Sequence, residues 1–268
     1  MAGRACSVLL ALVLLTGCVS ARIGTGHGSA APPPAALPPT TPPPTTAPTS
    51  TPSPTASMSE SASTTAVPAG ITPCPQADPS AAVGCLHQVL SDFWSGQLNN
   101  VIGESVVLDA DPTQVPRPCR PGIELGTAIT CRVDLTLYVS RQFLALIEAN
   151  FHGVDLDLAL ASVTSHEIGH VLQYTLHQPQ IQQHEESDAT SRFVEQQADC
   201  LSGVWAAQAV RTGTLDGGRF LADAGKLIEL VSSNPEIATH GTPRQRRAAI
   251  ERGLTSGSPG VCRLVTFH

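Results

Sequence analysis

Apolar residues recur at intervals of three and four along much of the chain, which is the spacing of one face of an α-helix. Between Cys85 and Leu98 this pattern predicts a helix with one buried stripe, formed by Leu86, Val89, Leu90, Phe93 and Trp94. A second stripe predicts a helix from about Ala189 to Arg211, with Val194, Ala198, Leu201 and Trp205 buried.

Four more helices are predicted, at about 140–150, 155–177, 219–232 and 242–253. Asp155 or Asp157 can cap the 155–177 helix, because aspartate accepts hydrogen bonds from free main-chain N–H groups. Thr242 followed by Pro243 is typical of a helix start, and Gly253 is expected to end that helix.

Strand-forming patterns are fewer and shorter. Residues 105–108 predict one strand, and the alternating β-formers of residues 128–139 predict one or two more. Four prolines between Pro112 and Pro121 predict a loop without regular structure, and residues 179–188 predict a polar loop. The whole pattern predicts an α+β, helix-rich domain with a small β-sheet.

The chain begins with features of an exported protein. Arg4 precedes an apolar run from Val8 to Leu15, well short of the about 20 residues that span a bilayer. The run ends in Leu15-Thr16-Gly17-Cys18, which resembles the lipobox of bacterial lipoproteins. This resemblance implies that residues 1–17 are a signal peptide and that a lipid on Cys18 anchors the protein to the extracytoplasmic face of a cell-envelope membrane. The alternative is ordinary secretion with an unmodified Cys18.

Composition divides the rest of the chain into a linker and a domain. Residues 18–70 are dominated by Pro, Ala, Ser and Thr, which predicts a disordered spacer, and residues 71–268 suffice for one domain with a core. The net charge of −7 argues against a nucleic-acid partner. Three nearby arginines, Arg244, Arg246 and Arg247, are expected on a solvated helix face. The oligomeric state is left open.

Six cysteines lie in the predicted domain, and an even number in an exported protein indicates disulfides. Six cysteines allow fifteen pairings. The simplest set closes two short loops and ties the C-terminal segment to a helix: Cys74–Cys85, Cys119–Cys131 and Cys200–Cys262. A cysteine zinc site is the weaker alternative, because the sequence contains no CxxC pair.

The strongest chemical signal is His166-Glu167-Ile168-Gly169-His170, an HExxH pattern inside a predicted helix. Histidines four residues apart share a helix face and can bind one zinc ion, while the glutamate between them can reach water at that metal. Gly169 costs a helix about 1 kcal/mol relative to alanine, which makes sense if another backbone or a ligand passes close by.

A third ligand is expected downstream, where Glu195 and Asp199 are again four residues apart on one predicted helix. Competing candidates lie in or near the polar loop: His177, His184, Glu185, Glu186 and Asp188. The metzincin class is excluded, because its third histidine would fall at position 176, which is leucine.

The HExxH and ExxxD patterns resemble those of the thermolysin-like zinc peptidases, the gluzincins. This resemblance implies that His166, His170 and Glu195 bind Zn²⁺ and that Asp199 orients a ligand histidine. It also implies a role for a later histidine in stabilising the oxyanion, for which His240 is the first candidate. Tyr174, one turn beyond His170, is the second.

Several segments, in the same order, are similar to motifs of the neutral zinc metallopeptidase family. They are the HExGH motif at His166–His170, the ELQADCxAGxW-like stretch at Ser191–Trp205, the THGT…QR-like segment at Thr239–Arg246, and the Cys119–Cys131 loop followed by Asp134–Phe143. The resemblance implies a zincin-like fold in which the HExxH helix packs on a second, ligand-bearing helix.

These patterns predict a zinc-dependent peptidase that acts on a peptide or protein substrate, with Glu167 as general base. The alternative is a catalytically silent lipoprotein of the same fold that serves as an envelope scaffold or binding protein. A binding protein has no need of Glu167, which favours the enzyme. Zinc storage fits poorly with a single site.

Overall fold

The computed structural model describes residues 73–74, 78–98, 105–182 and 187–264, all within the compact unit Ala62–His268. Helices and strands follow in the order α1 (Pro79–Leu98), β1 (Ser105–Val107), α2 (Arg120–Glu124), β2 (Ala128–Cys131), β3 (Thr136–Val139), α3 (Arg141–Asn150), α4 (Val154–Thr175), α5 (Asp188–Arg211), α6 (Gly217–Val231), α7 (Asn234–His240) and α8 (Pro243–Ser256). Short 3₁₀ turns lie at Pro112–Gln114, Pro179–Gln182 and Pro259–Cys262. The predicted helix-rich α+β class is confirmed.

The sheet has three strands in the order β1-β3-β2. Strand β1 runs parallel to β3, with Val106 opposite Leu137, and β2 runs antiparallel to it, with Ile129 opposite Tyr138. The central strand β3 is buried along its whole length. Strand β2 is therefore an edge strand, with one side free of strand partners among the described residues.

Helices α4 and α5 form the centre of the fold. The α5 stripe is confirmed, because all four of its members are buried. Of the stripe predicted on α1, Leu86, Leu90 and Trp94 are buried, whereas Val89 and Phe93 are only partly buried against the core. The backbones of α4 and α5 approach closely at Gly169, where an added Cβ would lie 2.9 Å from Cα of Ala198. This contact explains the glycine inside the HExxH helix.

Helix α8 crosses α5 at a second close contact. A Cβ on Gly203 or on Gly253 would meet main-chain oxygen of the other helix, from Ile250 and Cys200 respectively. The prediction that Gly253 ends a helix is wrong, because α8 continues to Ser256 and the left-handed Gly257 caps it. Gly253 is present because the helices touch there.

Other predicted boundaries also need correction. The helix predicted from Cys85 begins at Pro79, and Gly153 takes the cap position expected for Asp155 or Asp157, which lie in the first turn instead. The segment from Pro112 to Pro121 is not free of regular structure, because a proline lacking an N–H is tolerated at the first turn of a helix. Helices α2 and α7 were not predicted.

The three preferred disulfides are present: Cys74–Cys85, Cys119–Cys131 and Cys200–Cys262. The predicted signal peptide, Cys18 and the 18–70 linker lie outside the described residues. Among the described helices, none combines the length and the apolar character that a membrane crossing requires.

Candidate metal centre

Two imidazoles and one carboxylate converge where α4 meets α5. Nε2 of His166 lies 3.2 Å from Nε2 of His170. Oε2 of Glu195 lies 3.3 Å from the first of these nitrogens and 3.4 Å from the second. The two histidines share one face of α4, and Glu195 faces them from α5. The three predicted ligands are therefore brought together as a group that could hold a metal ion.

The spacing of these three atoms fits a zinc ion. Two ligand atoms about 2.0–2.1 Å from a tetrahedrally coordinated ion lie about 3.3 Å from each other. Oε2 of Glu195 is buried, and no described residue gives it a hydrogen bond of acceptable geometry. Imidazole nitrogen and carboxylate oxygen are ligand types that zinc accepts.

The outer nitrogens of both rings are held by hydrogen-bond acceptors. Nδ1 of His166 lies 2.9 Å from Oδ1 of Asp199, and Nδ1 of His170 lies 2.8 Å from Oε1 of Gln173. Because each Nδ1 donates its hydrogen to an oxygen, the neutral form of each ring has its lone pair on Nε2. Both lone pairs then point into the space that they share with Glu195.

Gln173 is itself fixed by a second glutamine. Its Nε2 donates to the main-chain oxygen of Val194 at 2.8 Å and to Oε1 of Gln197 at 3.0 Å. Nε2 of Gln197 in turn donates to the main-chain oxygens of Cys262 and Arg263. Every amide hydrogen of the two glutamines is thus used, which leaves one orientation for the oxygen that faces His170.

Asp199 is shared between His166 and a buried arginine. Nε and Nη2 of Arg246 donate to the two carboxylate oxygens of Asp199, each at 2.9 Å. The expectation that all three nearby arginines face solvent is wrong for Arg246, which is 8% exposed, and right for Arg244 and Arg247. Burial alone would raise the pKa of Asp199, but Arg246 and His166 lower it to about 2.

The charges around the three ligands favour a cation between them. Burial alone would lower the pKa of His166, but the charge and hydrogen bond of Asp199, together with Glu195, raise it to about 10. The charge of Glu195 likewise outweighs burial and raises the pKa of His170. Burial would raise the pKa of Glu195, yet the neighbouring histidines hold it well below its usual range.

Glu167 lies beside the ligands without joining them. It is 6% exposed, and the hydroxyl of Thr130 lies 2.9 Å from both its main-chain oxygen and its Oε2, to either of which it can donate. Thr130 belongs to the edge strand β2, so the sheet holds this carboxylate in place. Glu167 also lines the cavity beside the ligands.

His240 reaches the cluster from α7. Its Nε2 lies 3.4 Å from Oε2 of Glu195. The chain turns sharply at Gly241, whose φ of +96° favours glycine, and an added Cβ there would lie close to Nε2 of Gln196. The bend places His240, the last residue of α7, against Glu195 of α5.

Two cavities meet at Glu167. The smaller, of about 220 Å³, lies on the side of Glu195 and Tyr174, the second oxyanion candidate. The larger, of about 530 Å³, extends away from the ligands toward α6. His166, Glu167 and His240 line both cavities, together with strand β2.

The competing ligand candidates that the structure describes do not join the cluster. His177 and Asp188 are exposed, and neither belongs to the group of converging donors. His184, Glu185 and Glu186 lie outside the described residues. Gln173, Gln197 and Arg246 had no predicted role, although Gln173 lies three residues after His170, on the same helix face.

The amino-acid sequence is similar to those of several known bacterial proteins. Uncharacterized protein YpfJ of Escherichia coli K12 is 28% identical over 162 residues, which is 54% of this chain and 56% of YpfJ. Uncharacterized protein Rv2575 of Mycobacterium tuberculosis is 29% identical over 171 residues, 56% of this chain and 58% of Rv2575. The chain thus spans little more than half the length of these curated relatives. No solved structure gives a significant match.

A family model described as "Putative neutral zinc metallopeptidase" matches residues 106–265, more than half of the chain. The match contains both ligand helices, the edge strand, His240 and Arg246. Membership implies zinc as the metal, in agreement with the donor set. The chain belongs to the neutral zinc metallopeptidase family.

Proposed function

We propose that the protein is a zinc-dependent peptidase in which His166, His170 and Glu195 hold the metal. The convergence of their three donor atoms, 3.2 to 3.4 Å apart, is the observation that carries the proposal. Asp199 and Gln173 keep the two imidazoles in the orientation that metal binding needs. The metallopeptidase family supports the reaction class.

A zinc ion in this position supplies Lewis acidity, which acidifies water and polarises a carbonyl group. Glu167 is the general base. It takes a proton from the attacking water as the new C–O bond forms, and gives it to the amine nitrogen as the C–N bond breaks. A hydrogen bond from Thr130 to Oε2 supports this carboxylate.

The oxyanion that forms on the carbonyl carbon needs a hydrogen-bond donor. His240 is our first choice, because its Nε2 lies at the ligand cluster and its ring lines both cavities. Tyr174 is the second, since it lines the smaller cavity.

The edge strand β2 offers a place for the substrate backbone. Ala128 and Ile129 line both cavities, and the side of β2 away from β3 has no strand partner in the described part of the chain. An extended peptide can add to such an edge through main-chain hydrogen bonds. Its successive side chains would then point to opposite sides, toward different cavities.

The proposal is tested by separating metal binding from turnover. Glu167→Gln should keep one zinc per chain and lose peptide cleavage by at least about 100-fold, since general-base catalysis contributes on that order. Zinc is measured by elemental analysis, and cleavage by mass spectrometry of a peptide mixture with and without a chelator. Retained cleavage in Glu167→Gln would remove the general-base role.

The ligand assignment has its own test. His166→Ala should lose the zinc, whereas His152→Ala, which changes an exposed histidine before α4, should keep it. Full zinc occupancy in His166→Ala would show that another group of residues holds the metal.

On sequence signals alone, we further propose that a lipid on Cys18 tethers the enzyme to the outer face of a bacterial membrane. The lipobox-like segment and the proline-rich spacer after it support this location. Metabolic labelling with a fatty acid should mark the wild-type protein and not Cys18→Ser. Equal labelling of both would refute the anchor.

A further inference from the structure

The larger cavity is an apolar groove that opens directly from the proposed catalytic centre. We define it by Leu125, Phe143, Leu146, Leu227, Leu230 and Ile250, which come from the segment after α2 and from helices α3, α6 and α8. Its volume of about 530 Å³ lies within the range of ligand pockets, roughly 300 to 1,000 Å³. The inner end of the groove, at the proposed metal site, is lined by His166, Glu167 and His240.

The charged side chains at the floor of this groove are already paired. Asp199 binds Arg246 through two hydrogen bonds and also contacts His166. The hydroxyl of Ser202, another polar residue of the floor, forms a hydrogen bond with the hydroxyl of Ser165. The charges at the floor are paired with each other and the walls are apolar. An apolar group can therefore bind there without desolvating an unpaired charge.

The rim of the groove exposes apolar side chains to solvent. Leu125 is 81% exposed, and Leu146 and Leu230 are each 38% exposed. These three are half of the large apolar side chains that are exposed in the described part of the chain. Exposed apolar residues concentrated at one opening are typical of a binding site.

The smaller cavity on the other side of Glu167 has a different character. Its lining includes Glu195, His170, Thr130 and Tyr174, so polar groups dominate there. A peptide chain lying along β2 would therefore meet one polar and one apolar pocket. The residues on the two sides of the cleaved peptide bond would then meet pockets of different polarity.

Resting on the proposed peptidase function, we propose that the apolar groove is the subsite that selects the substrate. It takes a large apolar side chain, such as that of leucine, isoleucine, methionine or phenylalanine, from a residue next to the bond that is cut. The occupant is a substrate side chain because the groove is continuous with the catalytic centre through His166, Glu167 and His240.

The test compares two fluorescein-labelled peptides of one Ala/Ser sequence that differ only in a central residue, Phe or Ser. Binding to the zinc-loaded, full-length Glu167→Gln variant is measured by fluorescence anisotropy, which needs no turnover. The Phe peptide should bind at least about tenfold more tightly, the smaller end of what apolar pockets achieve. Wild-type protein should also cleave the Phe peptide beside that residue with the higher kcat/KM.

Two rim variants and one matched control locate the effect. Leu146→Glu and Leu230→Glu, each made together with Glu167→Gln, should reduce the preference for Phe to less than about threefold by placing a charge at the apolar opening. Val210→Glu is the control, because Val210 is 39% exposed on α5 and lies outside the groove. An equal loss of preference in Val210→Glu would refute the assignment.

Failure of this inference can be told from failure of the proposed function. Equal binding of the two peptides, with both cleaved by wild-type protein, would overturn the apolar subsite and leave the peptidase standing. No cleavage of either peptide by zinc-loaded wild-type protein would overturn the peptidase, and with it the assignment of the groove to a substrate.

Discussion

Asp199 connects the metal centre to the rest of the protein. One carboxylate oxygen faces His166 and both face Arg246, so a single buried side chain orients a ligand ring and neutralises a cation. Carboxylates in this position raise the basicity of the imidazole that they contact. The pKa of His166, raised to about 10, and the metal affinity that we propose for the site would thus have the same cause.

Zinc affinity should therefore depend steeply on pH. Below pH about 10 a proton competes with the metal for His166, so apparent affinity should rise about tenfold per pH unit from pH 7 to 9 as that proton is released. Competition with a chelator at each pH measures this. Asp199→Asn should bind zinc less tightly and with a shallower slope, and a flat wild-type profile would contradict the raised pKa.

The metal-free protein should be most stable between about pH 4 and 6.5. The raised pKa of His166 gives stability that is complete below its ordinary value of 6.5 and is lost as pH rises toward 10. The lowered pKa of Asp199 contributes about 2 kcal/mol to the free energy of unfolding. This contribution is complete above the ordinary pKa of 3.8 and is lost as pH falls toward 2. Urea unfolding across this range is the measurement, and greater stability at pH 9 than at pH 6 would contradict it.

Gln173 offers a sharper test of ring orientation, since it carries no charge. Gln173→Leu should lower zinc affinity by about 10- to 100-fold, because Nδ1 of His170 loses its acceptor. Gln142→Leu, an exposed substitution on α3, is the control and should bind zinc like the wild type. Unchanged affinity in Gln173→Leu would mean that packing alone orients His170.

Site residues could be predicted from the sequence where their partners lie a few positions away in the same helix. The HExxH and ExxxD spacings lie within single helices, so the periodicity of a helix sufficed to put their members on common faces. Arg246 and Thr130 escaped prediction because their partners are 47 and 37 residues away, and no local spacing joins them. A buried arginine also looks like a surface residue in sequence, since arginines are rarely buried unless paired.

Among the elements, the crossing of α5 and α8 has the least tolerance for change. Gly253→Ala would force Cβ against the main-chain oxygen of Cys200, one residue from Asp199. We expect a loss of at least about 3 kcal/mol of folding free energy, because overpacking against backbone requires a shift of the helix. Thermal unfolding measures the effect.

Gly84→Ala is the matched control for that substitution. Gly84 also lies inside a helix, but an added Cβ there meets nothing within 4 Å. Its replacement should stabilise the protein by up to about 1 kcal/mol. A stable Gly253→Ala variant with intact zinc binding would show that α8 can move away from α5 without disturbing the site.

Helices were easier to predict than their ends. Long amphipathic segments such as α5 have a periodicity that short elements lack. The short helices α2 and α7 and the 3₁₀ turns were therefore not predicted. Because glycine commonly ends helices, the sequence predicts an end at Gly253, whereas α8 continues to Ser256. A tertiary contact with another helix, which a local pattern does not contain, is the reason for glycine at that position.

At the scale of the whole molecule, the cleft is framed by parts distant in sequence. The sheet edge supplies one wall, α4 and α5 the floor with its ligands, and α6 and α8 the apolar side. The helix-rich α+β class followed from the pattern of elements, but the two cavities did not. A cleft depends on packing angles between helices, and these are set by many contacts at once.

The Cys200–Cys262 bridge fastens the end of the described chain directly behind the ligand helix. Cys200 follows Asp199, while the main-chain oxygen of Cys262 receives a hydrogen bond from Gln197. One covalent link thus supports the residues behind both ligand histidines.

The order of maturation should follow from this attachment: oxidation first, metal loading second. Protein kept reduced, or Cys200→Ser/Cys262→Ser, should take up zinc about tenfold or more weakly than oxidised protein, as expected when outer-shell support is lost. Cys74→Ser/Cys85→Ser, which opens a bridge at α1, should load normally once folded. Such a dependence would leave the proposed peptidase inactive until this bridge has formed.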